Sequence, residues 1–369
     1  MTRRELNISI FEGTADRVLW QPRLEMWINH HMKHDILPDR FKNKDSIGIY
    51  DELRCSMRYA ASKGAERFYD PDDVAISTEE PDPKHRIETL RIPEGELKTV
   101  RQCVRQGDEI TNERIVQFAV STVDDLRVLT ALVEREQVRV DIDAFKKADA
   151  EVGHRAEPTH FTGSDGFTAL IKYWAGLLNA YYLLYDHPKD VDAYVEACRR
   201  RDSRQLKQFF KLPCRIYNLG DHTTNEFTPP AIIERYCLAR WKDISKKMNV
   251  ENRFVHSHWD GNSRHILKYL KPSGLHSVEA LTAEPMGDMT LEMIKEAVGD
   301  SIVVLDLLPA IFFLPEFPRQ KLLEFADRVI DMFAPRLILG VSDELSQRGE
   351  IDRIEAISEL VDRRCGLAG

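Results

Sequence analysis

At 369 residues, with 43% hydrophobic and 31% charged side chains, the chain has the length for one large α/β domain or two ordinary ones and the make-up of a soluble globular protein with a substantial core. A formal charge of -9 argues against nucleic acid as the main partner, because phosphate binding asks for a basic surface. No window approaches the roughly eighteen uninterrupted apolar residues of a membrane span, and MTRRE leads into no apolar signal region, so the expectation is a cytoplasmic protein with no membrane partner.

The first apolar run, Val18-Leu19-Trp20, reads as a strand, followed by Gln21-Pro22-Arg23 and the helix LEMWINHHMKH. Arg23 stands at a junction where many α/β folds keep their ligands. Residues 41–63 are expected to be helical and residues 65–69 to form a weak strand. From Val74 to about Arg105 the pattern becomes short alternating pieces interrupted by Pro81, Pro83, Pro93 and Gly95. This predicts a β-hairpin excursion, an insertion at about 70–120 within a single domain covering 1–369. STVDDLRVLTALV begins a helix capped by Ser121 or Thr122. A further helix, DAFKKADAEVG, ends at Gly153. Residues 159–162 form the next strand, before the helix FTALIKYWAGLLNAYYLLY, whose Tyr181 and Tyr182 are expected in the core. After the amphipathic helix VDAYVEACRRRDSRQLKQFF comes a third strand at 214–219, closed by a loop that holds Asp221, His222 and Glu226. The six cysteines are far apart with no CxxC among them, which indicates neither a disulfide framework nor a zinc ribbon.

The stretch 253–262, RFVHSHWDGN, is a strand ending in a loop full of ligand-type side chains. Alternation along a strand puts His256 and His258 on one side and Ser257 on the other. Two neighbouring imidazoles can bind one divalent metal, and Asp260 can accept a proton or fix a ring tautomer. The plainer reading keeps one histidine in the core. Thereafter strands and helices alternate to the end of the chain, implying a parallel sheet with helices outside it. Strands near residues 18, 66, 159, 215, 254, 276, 302 and 337 make about eight, the number that closes a (β/α)8 TIM barrel. The carboxyl ends of those strands carry Arg23, Asp221, His222, His256, His258, Glu279, Asp306 and Asp343. Singly, Glu279 could be half of a salt bridge and Asp306 or Asp343 a helix cap. Gathered at one barrel mouth, two histidines and a carboxylate suit zinc with one open position, although another divalent ion would also fit.

RVLWQPRLEMW, EFTPPAIIERYCLARWKDI, FVHSHWDGNSRHILKYL, SVEALTAEPMGDMTLEMIKEAVGD and RLILGVSDELSQRGEIDRI together resemble the uroporphyrinogen decarboxylase superfamily over nearly the whole chain. The resemblance implies a (β/α)8 barrel and either a cofactor-free porphyrinogen decarboxylase or a zinc-dependent methyltransferase working with a corrinoid protein. The decarboxylase branch would show an RQAGR-like first loop and a histidine in the last barrel loop. Here Arg23 is followed by Leu24-Glu25-Met26-Trp27, and the last loop is Gly340-Val341-Ser342-Asp343. The methyltransferase branch carries His-x-Cys at the fifth strand and another cysteine in the last loop. His256 matches that histidine, His258 stands at the cysteine position, and by position Glu279 and Asp343 complete the implied metal set. The chain looks most similar to the branch that demethylates methoxylated compounds.

The expected function is transfer of a methyl group from an O-methylated, methoxylated aromatic molecule to a corrinoid (cobalamin) carried by a partner protein. Zinc would act as a Lewis acid on the ether oxygen. Asp260, His222 or Glu226 would orient or protonate that oxygen, while Trp20, Tyr217 and Trp259 would wall the ring and Arg23 and Asp306 contact the substrate. A homodimer is compatible with this reading. The first alternative is a metal-free decarboxylase or lyase in which Arg23 binds an acidic substrate; the second is a binding subunit without chemistry.

Overall fold

Seven parallel strands form one curled sheet in the computed structural model of the chain, which describes residues 1–59 and 63–366. They are β1 (Leu19–Trp20), β2 (Thr159–Phe161), β3 (Ile216–Asn218), β4 (Phe254–His258), β5 (Ser277–Glu279), β6 (Val303–Pro309) and β7 (Leu337–Ser342). Their order in the sheet is β1-β7-β6-β5-β4-β3-β2, and each neighbouring pair is parallel. All seven belong to one of two compact units, made of Met1–Lys63, Ile142–Gly163 and Pro213–Gly369. The other unit is Gly64–Asp141 with Ser164–Leu212. No helix among the described residues is long and apolar enough to cross a membrane.

The expected strand at 65–69 is not part of this sheet. Ala65–Phe68 pairs antiparallel with Gln137–Val140 in the second unit. Its place beside β1 is taken by an irregular stretch, residues 55–59, within the span expected to be helical; the helix there covers only Ser46–Glu52. The Ser56 N–H donates to the Trp20 carbonyl at 2.9 Å, and Ser56 Oγ donates to the Arg155 carbonyl at 2.8 Å. Gln21 holds the same stretch through the Met57 carbonyl (2.7 Å) and Arg58 Nε (3.0 Å). The segment is thus bonded through side chains as well as backbone, which a search for alternating apolar residues does not detect.

The opposite end of the sheet is closed by a helix, Arg3–Glu12, absent from the sequence reading. Thr2 and Glu5 form a reciprocal capping box at its start. Leu6, Ile10 and Phe11 pack with Leu19, Ile216, Val303, Leu305 and Ile338 in one cluster beneath the strands. Apolar groups therefore fill the amino-terminal end of the sheet, and polar ones collect at the carboxyl end.

One close approach shapes that end. Asp306 (φ 80) and Leu307 (φ 77) adopt the left-handed region, which L-residues enter at a cost of about 1–3 kcal/mol each. Gly340 on the adjacent β7 makes room for Asp306, since a Cβ there would fall 2.4 Å from Asp306 Oδ1. Only glycine leaves that space.

In the second unit the expected hairpin insertion is a four-stranded antiparallel meander, Ala75–Asp82, His85–Ile92, Gly95–Gln106 and Glu109–Gln117. Helix Val123–Arg135 follows, capped by Thr122, whose Oγ1 accepts from the Asp125 N–H at 3.2 Å while the Asp125 carboxylate takes the Thr122 N–H at 2.8 Å. Replacing Thr122 with alanine is expected to cost about 1 kcal/mol, measurable by urea unfolding. The long helix expected after residue 166 is broken: Gly176 (φ 75) separates a wide turn, Leu170–Ala175, from the helix Leu177–Asp186. The break resets the register, and Tyr182, expected in the core, is 64% exposed.

Candidate metal centre

His256 and His258 point to the same side of β4, as alternation requires, and Ser257 points to the other, where its hydroxyl donates to Asp221 at 3.0 Å. Trp241 Nε1 donates to the same Asp221 oxygen at 2.8 Å, and Arg240 Nη1 lies 3.3 Å from its neighbour. Asp221 therefore anchors the back of β4. In register, His256 pairs with Asn218 on β3, and His258 pairs with Glu279 on β5, so three strands deliver these polar groups side by side.

Two layers result. The inner layer is a buried charge network around Glu279. Arg58 Nη1 reaches Glu279 at 3.2 Å, and its two terminal nitrogens meet Asp306 at 3.0 and 2.8 Å. Asn218 Nδ2 donates to Glu279 at 2.6 Å, and the Tyr59 hydroxyl donates to the other oxygen. His256 Nδ1 sits 3.3 Å from Glu279. Burial works against charge on the His256 ring and lowers its pKa to about 4, so the ring is neutral. Burial opposes the Glu279 carboxylate as well, but its electrostatic interaction with the His256 ring, the hydrogen bond and charge of His258 and the charge of Arg58 outweigh it and hold that carboxyl well below its usual range.

The outer layer is built on His258. Its Nδ1 lies 2.9 Å from Glu279 Oε1. A carboxylate can only accept, so Nδ1 carries a hydrogen, and Nε2 is the atom that can turn to a metal once its own proton is displaced. Burial lowers the affinity of the His258 ring for a second proton, but Asp260 and Glu279 more than offset it and raise the pKa to about 10. His222 stacks on His258 with ring centroids 5.8 Å apart. Asp260 Oδ2 is 3.6 Å from His222 Nε2 and 3.7 Å from His258 Nε2. Among the described residues these three form the one group of His, Cys, Asp or Glu whose ligand atoms, within 4.8 Å of one another, could hold an ion. Asp343 Oδ2 is 3.9 Å from His258 Nε2. Nitrogen and oxygen donors in this number suit a divalent ion with an open position. An orphan atom points the same way: Asp260 Oδ1 is buried without a hydrogen-bond partner, a costly arrangement that a cation would relieve.

The candidate donor group differs from the expected ligand set: it keeps His258, includes His222 and Asp260, which were expected in catalytic roles, and is bordered by Asp343. His256 lies in the inner layer, fully buried, and Glu279 is already saturated by Arg58, Tyr59, Asn218 and His258. Glu226 is exposed and accepts from Asn262 Nδ2 at 3.0 Å. The expected aromatic walls are core residues instead. Trp20 is 3% exposed with its N–H on Ser358, Trp259 is buried with its N–H on Ser257, and Tyr217 is buried beside Arg253. Asp306, expected at the substrate, is fully buried on Arg58. Arg23 pairs with Asp343 and lies 3.6 Å from Glu344. Arg58 and Tyr59 were not among the expected site residues, because they fall within the span 41–63 expected to be helical.

Replacing Glu279 with glutamine is expected to weaken Zn2+ binding about 10–100-fold, because the ring loses its charged orienting partner. Calorimetric titration with Zn2+ measures this.

Strand order and donor set together define an α/β barrel-type protein with a candidate metal centre at the carboxyl ends of its strands. No family model matches the chain, and no curated protein matches it in sequence. Among solved structures the chain is similar to a methyltransferase from Methanosarcina mazei, at 12% identity and a TM-score of 0.56, over 99% of this chain and 99% of that one. A B12-independent methionine synthase from Shewanella sp. aligns over 95% of this chain and 98% of that one at 10% identity and a TM-score of 0.45. A putative vitamin-B12 independent methionine synthase from Listeria monocytogenes aligns over 95% and 96% at 12% identity and a TM-score of 0.41. The likeness to the first of these supports the α/β barrel fold of the chain.

Proposed function

We propose that this chain is a zinc-dependent methyltransferase that moves a methyl group from an O-methylated small molecule, of the methoxylated aromatic class, to the corrinoid of a partner protein. The observation that carries the reading is the His222–His258–Asp260 donor set at the carboxyl ends of a parallel sheet. It stands in a fold shared with a methyltransferase. His258 and His222 would hold zinc through Nε2 and Asp260 through its carboxylate, with Asp343 beside them. When bound, zinc supplies Lewis acidity that stabilises negative charge on the oxygen losing its methyl group. Glu279 fixes the His258 ring, and Arg58 with Asn218 fixes Glu279, so the donors are set before substrate arrives. The oxygen would keep the electron pair of the broken C–O bond, and a reduced corrinoid on the partner would supply the electron pair that accepts the methyl group. His222 and Asp343 are 33% and 41% exposed, an open side that would admit the corrinoid of a partner protein.

The decarboxylase alternative needs a cation for the substrate carboxylate. Arg23 is matched by Asp343 and Glu344, and Arg58 by Glu279 and Asp306, so the two arginines at the mouth are already neutralised. The test is elemental analysis of the purified chain followed by incubation with 2-methoxyphenol and a reduced corrinoid protein. About one equivalent of zinc and zinc-dependent methylation of the corrinoid are expected. A chain that binds no zinc, or that transfers no methyl group from a panel of methyl ethers when zinc-loaded, would overturn the proposal.

A further inference from the structure

The helix Glu25–Lys33 and the residue that closes it, His34, carry three histidines whose surroundings differ. His31 is committed to the protein. Its Nδ1 lies 2.8 Å from the Trp27 carbonyl and so carries the hydrogen, and its ring stacks on Trp27 with centroids 3.9 Å apart. His30 and His34 stand one turn apart on the helix surface, and the His34 N–H donates to the His30 carbonyl at 3.1 Å, so the turn between them is intact. His30 is half-buried and His34 exposed. Among the described residues neither of these two rings has a hydrogen-bond or ion-pair partner within the protein. Each instead faces the other, with centroids 4.5 Å apart and planes inclined at 50°.

We propose that His30 and His34 form a second metal site, distinct from the centre at the strand ends, for a divalent ion of the zinc, nickel or copper class. Imidazole is the donor that suits these ions, and two histidines four residues apart on one helix face can reach a single ion. The spacing of the rings fits. An ion about 2.0–2.1 Å from one nitrogen of each ring stands about 3.2 Å from each centroid, and a nitrogen–metal–nitrogen angle of roughly 90–110° then separates the centroids by about 4.5–5.2 Å. The observed 4.5 Å falls at the near end of that range. The field of the helix helps as well, because its carboxyl-terminal turn, which this pair brackets, carries partial negative charge. Two protein donors, rather than three, hold the ion, and water completes its shell, so this site is the weaker of the two. Occupied, it clamps the last turn of a nine-residue helix and stabilises the folded chain by mass action.

Calorimetric titration of the full chain with Zn2+ tests this, with the wild type beside His30→Ala, His34→Ala and His258→Ala. The wild type is expected to take up a second equivalent of zinc with a dissociation constant on the order of micromolar, weak enough to be lost during purification. His30→Ala and His34→Ala are each expected to weaken that step at least ~10-fold, leaving the tighter step and the circular dichroism unchanged, because both rings lie at the surface. His258→Ala is expected to do the reverse. The comparison keeps the two sites apart. A single step that His258→Ala abolishes and the helix variants leave untouched would overturn this site and support the centre at the strand ends. A single step that both helix variants abolish and His258→Ala leaves untouched would support this site and remove zinc from the other. A weak step that survives both helix substitutions, or no binding of Zn2+ at all, would also overturn the proposal.

Discussion

His258→Ala is expected to lower zinc affinity by at least ~100-fold and to remove methyl transfer with it, because His258 is the group on which the whole centre turns. Its Nε2 is within 3.7 Å of Asp260 and 3.9 Å of Asp343, its ring stacks on His222, and its Nδ1 is held by Glu279. Loss of the ring leaves two donors where at least three are needed for a closed set with one open position. The instructive comparison is His256→Ala. The family resemblance implied that both histidines are ligands, whereas the structure buries His256 beside Glu279. His256→Ala is therefore expected to retain zinc while losing stability, since it opens a cavity beside a charged network. Zinc content by elemental analysis, with urea unfolding of the same samples, separates the two. Equal loss of zinc in both variants would return His256 to the ligand set and displace His222 or Asp260.

The largest stability effect is expected for Arg58→Met, about 3–5 kcal/mol, the cost of leaving buried carboxylates without their cation. Arg58 is 1% exposed, and its partners Asp306 and Glu279 are 0% and 1% exposed. Lysine is a poor substitute, because a point charge cannot reproduce the two contacts with Asp306 and the one with Glu279. Arg58→Lys is accordingly expected to fall between wild type and Arg58→Met in urea unfolding. The same network gives a pH dependence. Folding depresses the Glu279 carboxyl below its ordinary 4.5, so its contribution is complete above that value and is lost as pH falls through the depressed folded value. Removing Arg58 takes away one of the charges that depress it, and acid unfolding of Arg58→Met is expected to begin at higher pH than in wild type.

The candidate centre lies at the carboxyl ends of the strands, where strand–loop–helix grammar points, and five of the residues gathered there, Arg23, His222, His258, Glu279 and Asp343, were legible in the sequence as strand-end polar groups. The sequence did not locate Arg58 and Tyr59, because they sit on neither a strand nor a helix but on a stretch held by Gln21 and Ser56. Periodicity has nothing to register there. The aromatic walls failed for a related reason. A tryptophan at a strand end can face the mouth or the helices behind, and Trp20 and Trp259 each satisfy their N–H on a serine in the core.

By itself the sequence determined the alternation of strands and helices, the parallel sheet and the face on which His256 and His258 project, because side-chain periodicity is a local property of the backbone. Which histidine can serve as a metal donor depends on what stands opposite it on the adjacent strand. That was decided by tertiary structure: the register of β4 against β5 aims Glu279 at His258 Nδ1, the loop after β3 returns His222 over the same ring, and Arg58, more than 200 residues from Glu279 in the chain, supplies the charge that lets a buried glutamate stay ionised there.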